Sequence, residues 1–421
     1  MNKTFTNKNI LQDKIKSLPI TGLVFLLPLL TLTTSFGVGL CSFGFLLAAL
    51  LSWKSWLPAW RRHAPSVRGV LLAFALCIAF ALAGMVLHDE LRMRTLEKPT
   101  RMLLAVTVLL AVLAGRPSRK ALWWGLIAGT MASAVFICYQ RWGLGIDRPG
   151  GLINAITFGD IVLCMGLMSL AAVLDFHGRQ AIWPWLGALA GLLASVATGT
   201  RGGWIAILFA IVLFLKYGHM MRGRLAKWLA LLSLVLLVST YFIEQTGARA
   251  RLKQGVDDIA LYLDGGNAFT NMGVRLELWK GAATLIARDP WRIPSPSQVR
   301  ADLRAEVDAG RLQPFVLDAE HLHNDILQVT VYGGLLGLLT WFATLAMPFL
   351  FFLRILRTHE SAPPGRIAPA LAGMLLVVSY FSFGLTEVIF WSNLSSMFYA
   401  LMVFLMIGLC LNAHDEGSAH D

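Results

Sequence analysis

The sequence predicts an all-α integral membrane protein of about twelve transmembrane helices, with one long extramembrane loop late in the chain. Three observations predict it. First, 57% of the 421 residues are hydrophobic and 14% charged, where a soluble domain averages about 25% charged. Second, a dozen apolar runs come near the ~20 residues that spanning requires. Third, lysine and arginine are distributed unevenly between the connections, as the positive-inside rule demands.

The runs are 19–35, 37–53, 68–87, 102–115, 119–139, 157–174, 181–197, 203–218, 226–244, 327–353, 367–385 and 392–412. With the N-terminus placed in the cytoplasm, the cytoplasmic segments hold 19 Lys and Arg, the short outer loops 7, and the long segment 245–326 the remaining 10. Long loops are exempt from the rule, so the comparison is 19 against 7 and both termini lie inside. The expected organisation is nine spans over 1–244, a helical cap on the outer face over 245–326, three spans over 327–412, and a short cytoplasmic tail, 413–421, disordered from Asp415. The N-terminal lysines and the apolar run from Leu18 resemble a signal peptide. No small-residue cleavage site closes them, so an uncleaved first helix is expected.

A net charge of +12 is first a statement about topology. Nucleic-acid binding is excluded because no soluble basic domain or Lys/Arg-rich run is present. Cys41, Cys77, Cys138, Cys164 and Cys410 lie in or beside apolar runs without C-x-x-C spacing. They read as core residues, with no disulfide framework and no thiolate metal site.

The cap segment is nearly neutral, with ten basic and eleven acidic residues. Val274, Leu278 and Leu285 have helical spacing, and Asp289-Pro290 ends that helix. Ser295 can cap a second, charged helix over 298–309 that Gly310 closes. The cap ends in Glu320-His321-Leu322-His323-Asn324-Asp325, the densest group of proton-moving side chains in the chain, placed where water meets an apolar run. On a helix, residues i and i+2 diverge, so the two histidine rings are not expected to share one task. Three readings stand on spacing alone: solvated interfacial histidines, a metal site completed by Glu320 or Asp325, and a general base whose tautomer is fixed by Asn324 or a carboxylate.

Two other stretches carry candidate chemistry. Thr198-Gly199-Thr200-Arg201-Gly202-Gly203 joins two apolar runs by a turn of a few residues and leaves Arg201 at the outer surface. It is either a snorkelling arginine in a tight turn or a bidentate anion clamp. Arg275, with Glu277, Trp279 and Lys280, reads as an amphipathic helix start. Arg92, Arg94, Lys98, Arg101, Arg141 and Arg148 add a basic outer surface suited to anionic head groups.

Taken together, the T-G-T-R-G-G turn at 198–203, the R-L-E-L-W-K helix start at 275–280 and H-L-H-N at 321–324 followed by Leu327-Gln328 resemble the O-antigen ligase and polymerase superfamily of membrane glycosyltransferases. The order of elements, many helices, one long late loop, then the last helices, is similar too. The resemblance implies a GT-C-like helical fold in the bacterial inner membrane. It implies transfer of O-antigen polysaccharide from undecaprenyl pyrophosphate to a sugar hydroxyl of lipid A–core at the periplasmic face, with no metal and no cofactor. On it, His323 is the base, Arg201 and Arg275 are the essential arginines, and His321 and Asn324 support them. An O-antigen polymerase and a protein O-oligosaccharyltransferase are the near alternatives. A transporter is disfavoured, since Asp160 and Glu387, the few acids in or near spans, fall near predicted outer ends.

Overall fold

The computed structural model describes residues 2–88, 93–217, 231, 248–358 and 364–418, and among them it is helical throughout, with no strand. The helices are α1 (Asn2–Thr31), α2 (Gly37–Leu51), α3 (Trp53–Leu87), α4 (Met93–Leu104), α5 (Val106–Gly115), α6 (Arg119–Cys138), α7 (Ala155–Ser169), α8 (Ile182–Ala197) and α9 (Ile205–Tyr217). They continue as α10 (Ala248–Leu263), α11 (Asn271–Arg288), α12 (Pro296–Asp308), α13 (Asp325–Arg357), α14 (Pro364–Gly384) and α15 (Asn393–Ser418). Among the described residues, eight helical segments are long and apolar enough to cross a membrane, and three shorter apolar helices, Ser17–Thr31, Gly37–Leu51 and Gly202–Phe214, accompany them. The expected span 226–244 lies outside the described residues apart from residue 231.

The helices α7, α14 and α15 form the centre. Their apolar side chains are almost entirely enclosed, from Phe158, Ile161 and Cys164 on α7 to the unbroken buried run Met397–Ile407 on α15. Helices apolar on every face must be surrounded by other helices. At one end of this centre an aromatic group, Tyr380, Phe383, Phe390 and Tyr399, packs with ring centroids 4.8–5.9 Å apart. The Tyr380 hydroxyl donates to the Ser395 carbonyl at 2.9 Å. The loop 385–392 between α14 and α15 is thereby held on a rigid base.

Two expectations are corrected. Residues 54–67, read as a cytoplasmic loop, are helical, and α3 runs through Pro58 and Pro65 for 35 residues. Trp56, Ala59 and Trp60 pack on the core, and that burial outweighs the ~3 kcal/mol that a helix-interior proline costs. The acidic tail is not disordered from Asp415, because α15 continues to Ser418. The Asp415 carboxylate is buried among His63 Nε2 at 3.1 Å, Arg62 at 3.3 Å and Arg116 at 3.5 Å. Sequence separations of about three hundred residues and more hid those partners.

The cap is built as its signals indicate. Thr270 caps α11 through the Gly273 N–H at 3.0 Å. Ser295 caps α12 in a reciprocal capping box with Gln298. Leu278, Ala282, Val299, Leu312, Val316, Leu322 and Val331 form a second core under the cap, separate from that of the bundle. The cap is fastened to the bundle at a break in α13. Gly334 takes φ +59° and ψ −165°, and the Leu335 N–H donates to the Pro290 carbonyl at 2.8 Å. A Cβ at Gly334 would lie 2.9 Å from the Arg292 carbonyl, so this backbone conformation and this approach both require glycine.

Candidate functional site

The site is built around Glu387, in the loop between α14 and α15. Its residue is 5% exposed. Three segments converge on it. His323 Nδ1 lies 3.1 Å from Oε2, and His321 Nε2 lies 3.4 Å from Oε1. The Arg275 guanidinium, from α11, stands 4.0 Å from Oε2. The Arg201 turn arrives beside it, since a Cβ at Gly202 would overlap Thr386, the residue before Glu387.

The histidines meet because the 320–324 segment is not helical. His323 adopts φ +50°, the left-handed region, where His is among the few side chains enriched. That reversal brings the two rings to 4.4 Å, edge to face, and aims both at one carboxylate. The expectation that residues i and i+2 diverge is corrected by this backbone conformation. Neighbouring contacts hold the segment. The Trp279 indole N–H donates to the Leu322 carbonyl at 2.9 Å, and the Leu322 N–H donates to Gln328 Oε1 at 2.9 Å.

The Asn324 side chain bonds elsewhere than to His323. Its Oδ1 accepts from the Leu327 N–H at 3.0 Å and so caps α13, while its Nδ2 donates to the Leu385 carbonyl at 3.0 Å. It ties the histidine segment to the Glu387 loop. Asp325 is fully buried against Gly384 and faces the backbone of Ile389 and Phe390. Glu320 is exposed. Neither, therefore, completes a metal set with the histidines. The carboxylate that joins them is Glu387. His321, His323 and Glu387 each offer a donor atom within 4.8 Å of one another, a set able to hold a divalent ion. Glu277 serves the cap: it accepts from the Tyr262 hydroxyl at 2.6 Å and from the Gln313 N–H at 2.9 Å.

The electrostatics favour a neutral His321 beside a charged carboxylate. Burial pushes His321 below the usual histidine range, with the Glu387 charge opposing it. Burial alone would raise the Glu387 carboxyl, but the His323 hydrogen bond, the histidine charges and the Val388 N–H outweigh it and hold it below the usual carboxylate range. Burial lowers Arg275, opposed by Glu387 and reinforced by Arg148. With Glu387 accepting at Nδ1 of His323, the other ring nitrogen, Nε2, is left as the proton acceptor. Behind the Arg201 turn, Asp160 of α7 is fully buried, lies under Gly203, and interacts electrostatically with Glu387 and Arg275.

The predicted residues His321, His323 and Arg275 are thus brought together by direct contact, and Arg201 by its turn. Sequence reasoning missed Glu387 as a site residue. Its signal was its rarity, one of few acids in or near an apolar run, and that was read only as evidence about transport.

These features define a multi-pass helical membrane protein with a histidine–carboxylate–arginine centre under a helical cap. Residues 186–342 match the family model described as O-Antigen ligase, a segment that contains all three motifs and ends before Glu387. The resemblance to the O-antigen ligase family therefore holds over that segment. An uncharacterized protein of Haemophilus influenzae is 22% identical over 321 residues, covering 74% of this chain and 79% of that protein. An O-antigen ligase of Escherichia coli K12 is 23% identical over 239 residues, covering 55% of this chain and 52% of that protein.

Proposed function

We propose that the chain is an O-antigen ligase, transferring a polysaccharide from undecaprenyl pyrophosphate to a sugar hydroxyl of lipid A–core. The supporting observation is the convergence of His323, His321 and Arg275 on one buried carboxylate, beside the Arg201 turn. The chemistry asks for a base for the acceptor hydroxyl and for cations on the leaving pyrophosphate. His323 Nε2 takes the proton as the hydroxyl oxygen bonds to the anomeric carbon. The bond from that carbon to the pyrophosphate oxygen breaks, and its electron pair leaves with the pyrophosphate. Arg275 and Arg201 stabilise that charge as planar, bidentate donors. Glu387 fixes the His323 ring and balances the imidazolium as it forms.

A single displacement inverts the anomeric centre. A double displacement needs a carboxylate nucleophile, and the nearest one, Glu387, is engaged by both histidines. The same reading has twelve spans in a GT-C-like arrangement, both termini in the cytoplasm and the site at the periplasmic face of the inner membrane, without a metal. The charge balance of the loops supports this orientation. The end opposite the cap carries Arg62, Arg116 and Arg119, as a cytoplasmic face would.

Reconstitution in liposomes tests the reading. Purified protein is given undecaprenyl-pyrophosphate polysaccharide and, separately, lipid A–core, a second lipid-linked glycan, or an acceptor protein. Transfer to lipid A–core is the expected result. Transfer only to the second glycan or to protein would reassign the chain as a polymerase or an oligosaccharyltransferase.

A further inference from the structure

Trp391 ends the buried stretch that carries Glu387. Val388 and Ile389 are enclosed beside that carboxylate, whereas Trp391 is 49% exposed. The residue is held all the same. Its backbone N–H donates to the Val388 carbonyl at 2.9 Å, and its carbonyl accepts from the Lys98 ammonium at 2.8 Å. Lys98 Nζ stands 5.8 Å from the ring centroid, and the His321 imidazole 5.6 Å from it, tilted by 58°. Exposed indoles also anchor membrane proteins where lipid meets water. Trp142, 56% exposed just past the end of α6, fits that role. Trp391 differs, because its ring lies against a member of the Glu387 centre.

The two oxygens of Glu387 serve different neighbours. Arg275 and His323 share Oε2, whereas His321 meets Oε1. Trp391 continues the Oε1 flank through its contact with His321. In a single displacement, the leaving group and the attacking hydroxyl stand on opposite faces of the anomeric carbon. With the pyrophosphate drawn to Arg275, the sugar that brings the hydroxyl belongs on the other flank. The His323 and His321 rings are 4.4 Å apart, so each step from the base to Trp391 is near the width of a sugar ring.

We propose that Trp391 is the stacking platform for the acceptor glycan, holding the pyranose whose hydroxyl His323 deprotonates or the ring next to it. The inference rests on the ligase reading above. The chemistry of the platform selects a sugar. An indole face is electron-rich, and the C–H groups on one face of a pyranose are weak donors that settle flat against it. The hydroxyls at the rim of that ring need polar partners. The Lys98 ammonium has three donors. It gives two to the Phe390 and Trp391 carbonyls, at 2.7 and 2.8 Å, and can give the third to a hydroxyl. A hydrocarbon chain laid on the same ring would leave that donor unmatched.

The test combines kinetics with binding. Trp391→Leu keeps an apolar side chain in the loop and removes the aromatic face, whereas Trp391→Tyr keeps a ring. In liposomes, Trp391→Leu is expected to raise KM for lipid A–core about tenfold, from the lost ring contact and the area it covers. KM for the undecaprenyl-pyrophosphate donor should not change. Trp391→Tyr should stay within about threefold of wild type, and Trp142→Leu should match wild type. Binding is read separately, by saturation-transfer NMR from the protein in nanodiscs to delipidated core oligosaccharide. Wild type should saturate the C–H protons on one face of a sugar ring, and Trp391→Leu should lose most of that signal. Melting curves show whether the variants are folded. An acceptor KM that does not move in a folded, active Trp391→Leu, or a rise in donor KM instead, overturns the inference. So does oligosaccharide binding that is absent from wild type or indifferent to residue 391. Binding that depends on Trp391, in a protein that transfers nothing to lipid A–core, keeps the platform and overturns the ligase reading instead.

Discussion

Glu387→Gln isolates what the central carboxylate does. Glutamine keeps the shape and one acceptor oxygen for His323 Nδ1, at 3.1 Å in the native site, but removes the charge. A hydrogen bond to a charged group contributes ~1.5–3 kcal/mol and a neutral one ~0.5–1.5, so the His323 contact alone loses about 1–2 kcal/mol. If that loss falls on the transition state, where the imidazolium forms, kcat drops about 5–30-fold. Arg275, 4.0 Å away and 25% exposed, loses its counter-charge as well, and its pull on bound pyrophosphate rises, so KM for the donor should fall or hold. Because the Glu387 charge raises the His321 pKa, its removal moves His321 protonation to lower pH. The assay is transfer in liposomes under saturating donor and acceptor, over the range from about pH 5 to 9, with circular dichroism and melting to show the variant is folded. A kcat within twofold of wild type across that range would refute the view that Glu387 orients and balances the base.

Further outcomes follow from the same geometry. His323→Ala should remove transfer while leaving the protein inserted and folded; wild-type rates in that variant would end the base assignment. Arg201→Lys and Arg275→Lys should each lower kcat at least tenfold, because a point charge does not replace a bidentate fork, and undiminished rates would count against a pyrophosphate clamp. Activity should survive exhaustive chelation; a loss restored by adding back one divalent metal would instead assign His321, His323 and Glu387 as its ligands. Acid should loosen the cap. His321 is lowered from 6.5 and Glu387 from 4.5, so the unfolded chain binds more protons than the folded one as pH falls through each ordinary value, and stability falls with it. Glu306, held at about 2 by Arg311 and Arg288, loses its contribution between pH 4.5 and that value. Melting temperature in detergent should therefore decline below about pH 6.5, and a flat profile down to pH 4 would contradict the buried pairings.

What was legible in the sequence is what depends on local pattern. Apolar run length exposed most of the spanning helices, apolar spacing and Asp289-Pro290 exposed the body and end of α11, and capping chemistry exposed α12 almost to the residue. Ser295 with Gln298 three positions on is a local instruction, and the structure executes it. The misses share one cause. Residues 54–67 read as a loop because the packing of Trp56 and Trp60 against the bundle is not a local property. Asp415 read as part of a solvated tail because His63, Arg62 and Arg116 are 299–353 residues away in sequence.

The site repeats that division and explains why its centre was overlooked. The three motifs were visible because each concentrates unusual residues in a short window. Glu387 stands alone between two apolar helices, and no window contains anything to pair with it. Its role arises only when α14 and α15 are packed in the core and the left-handed turn at His323 folds both rings back. That turn is also where a periodicity argument must fail. A helix would have separated the histidines, and a residue at φ +50° brings them together at a cost of order 1–3 kcal/mol. Such a cost is sustained when the surroundings over-determine the conformation, and here they do. Asn324 caps α13 on one side, Gln328 and Trp279 fix Leu322 on the other, and Glu387 receives both rings. The strain therefore marks the candidate site more specifically than the histidines themselves. Gly in place of His323 would relieve the backbone and remove the base, whereas His323→Asn would keep a left-handed former and remove only the imidazole. If the loop is held as described, His323→Asn should melt close to wild type and fail in transfer.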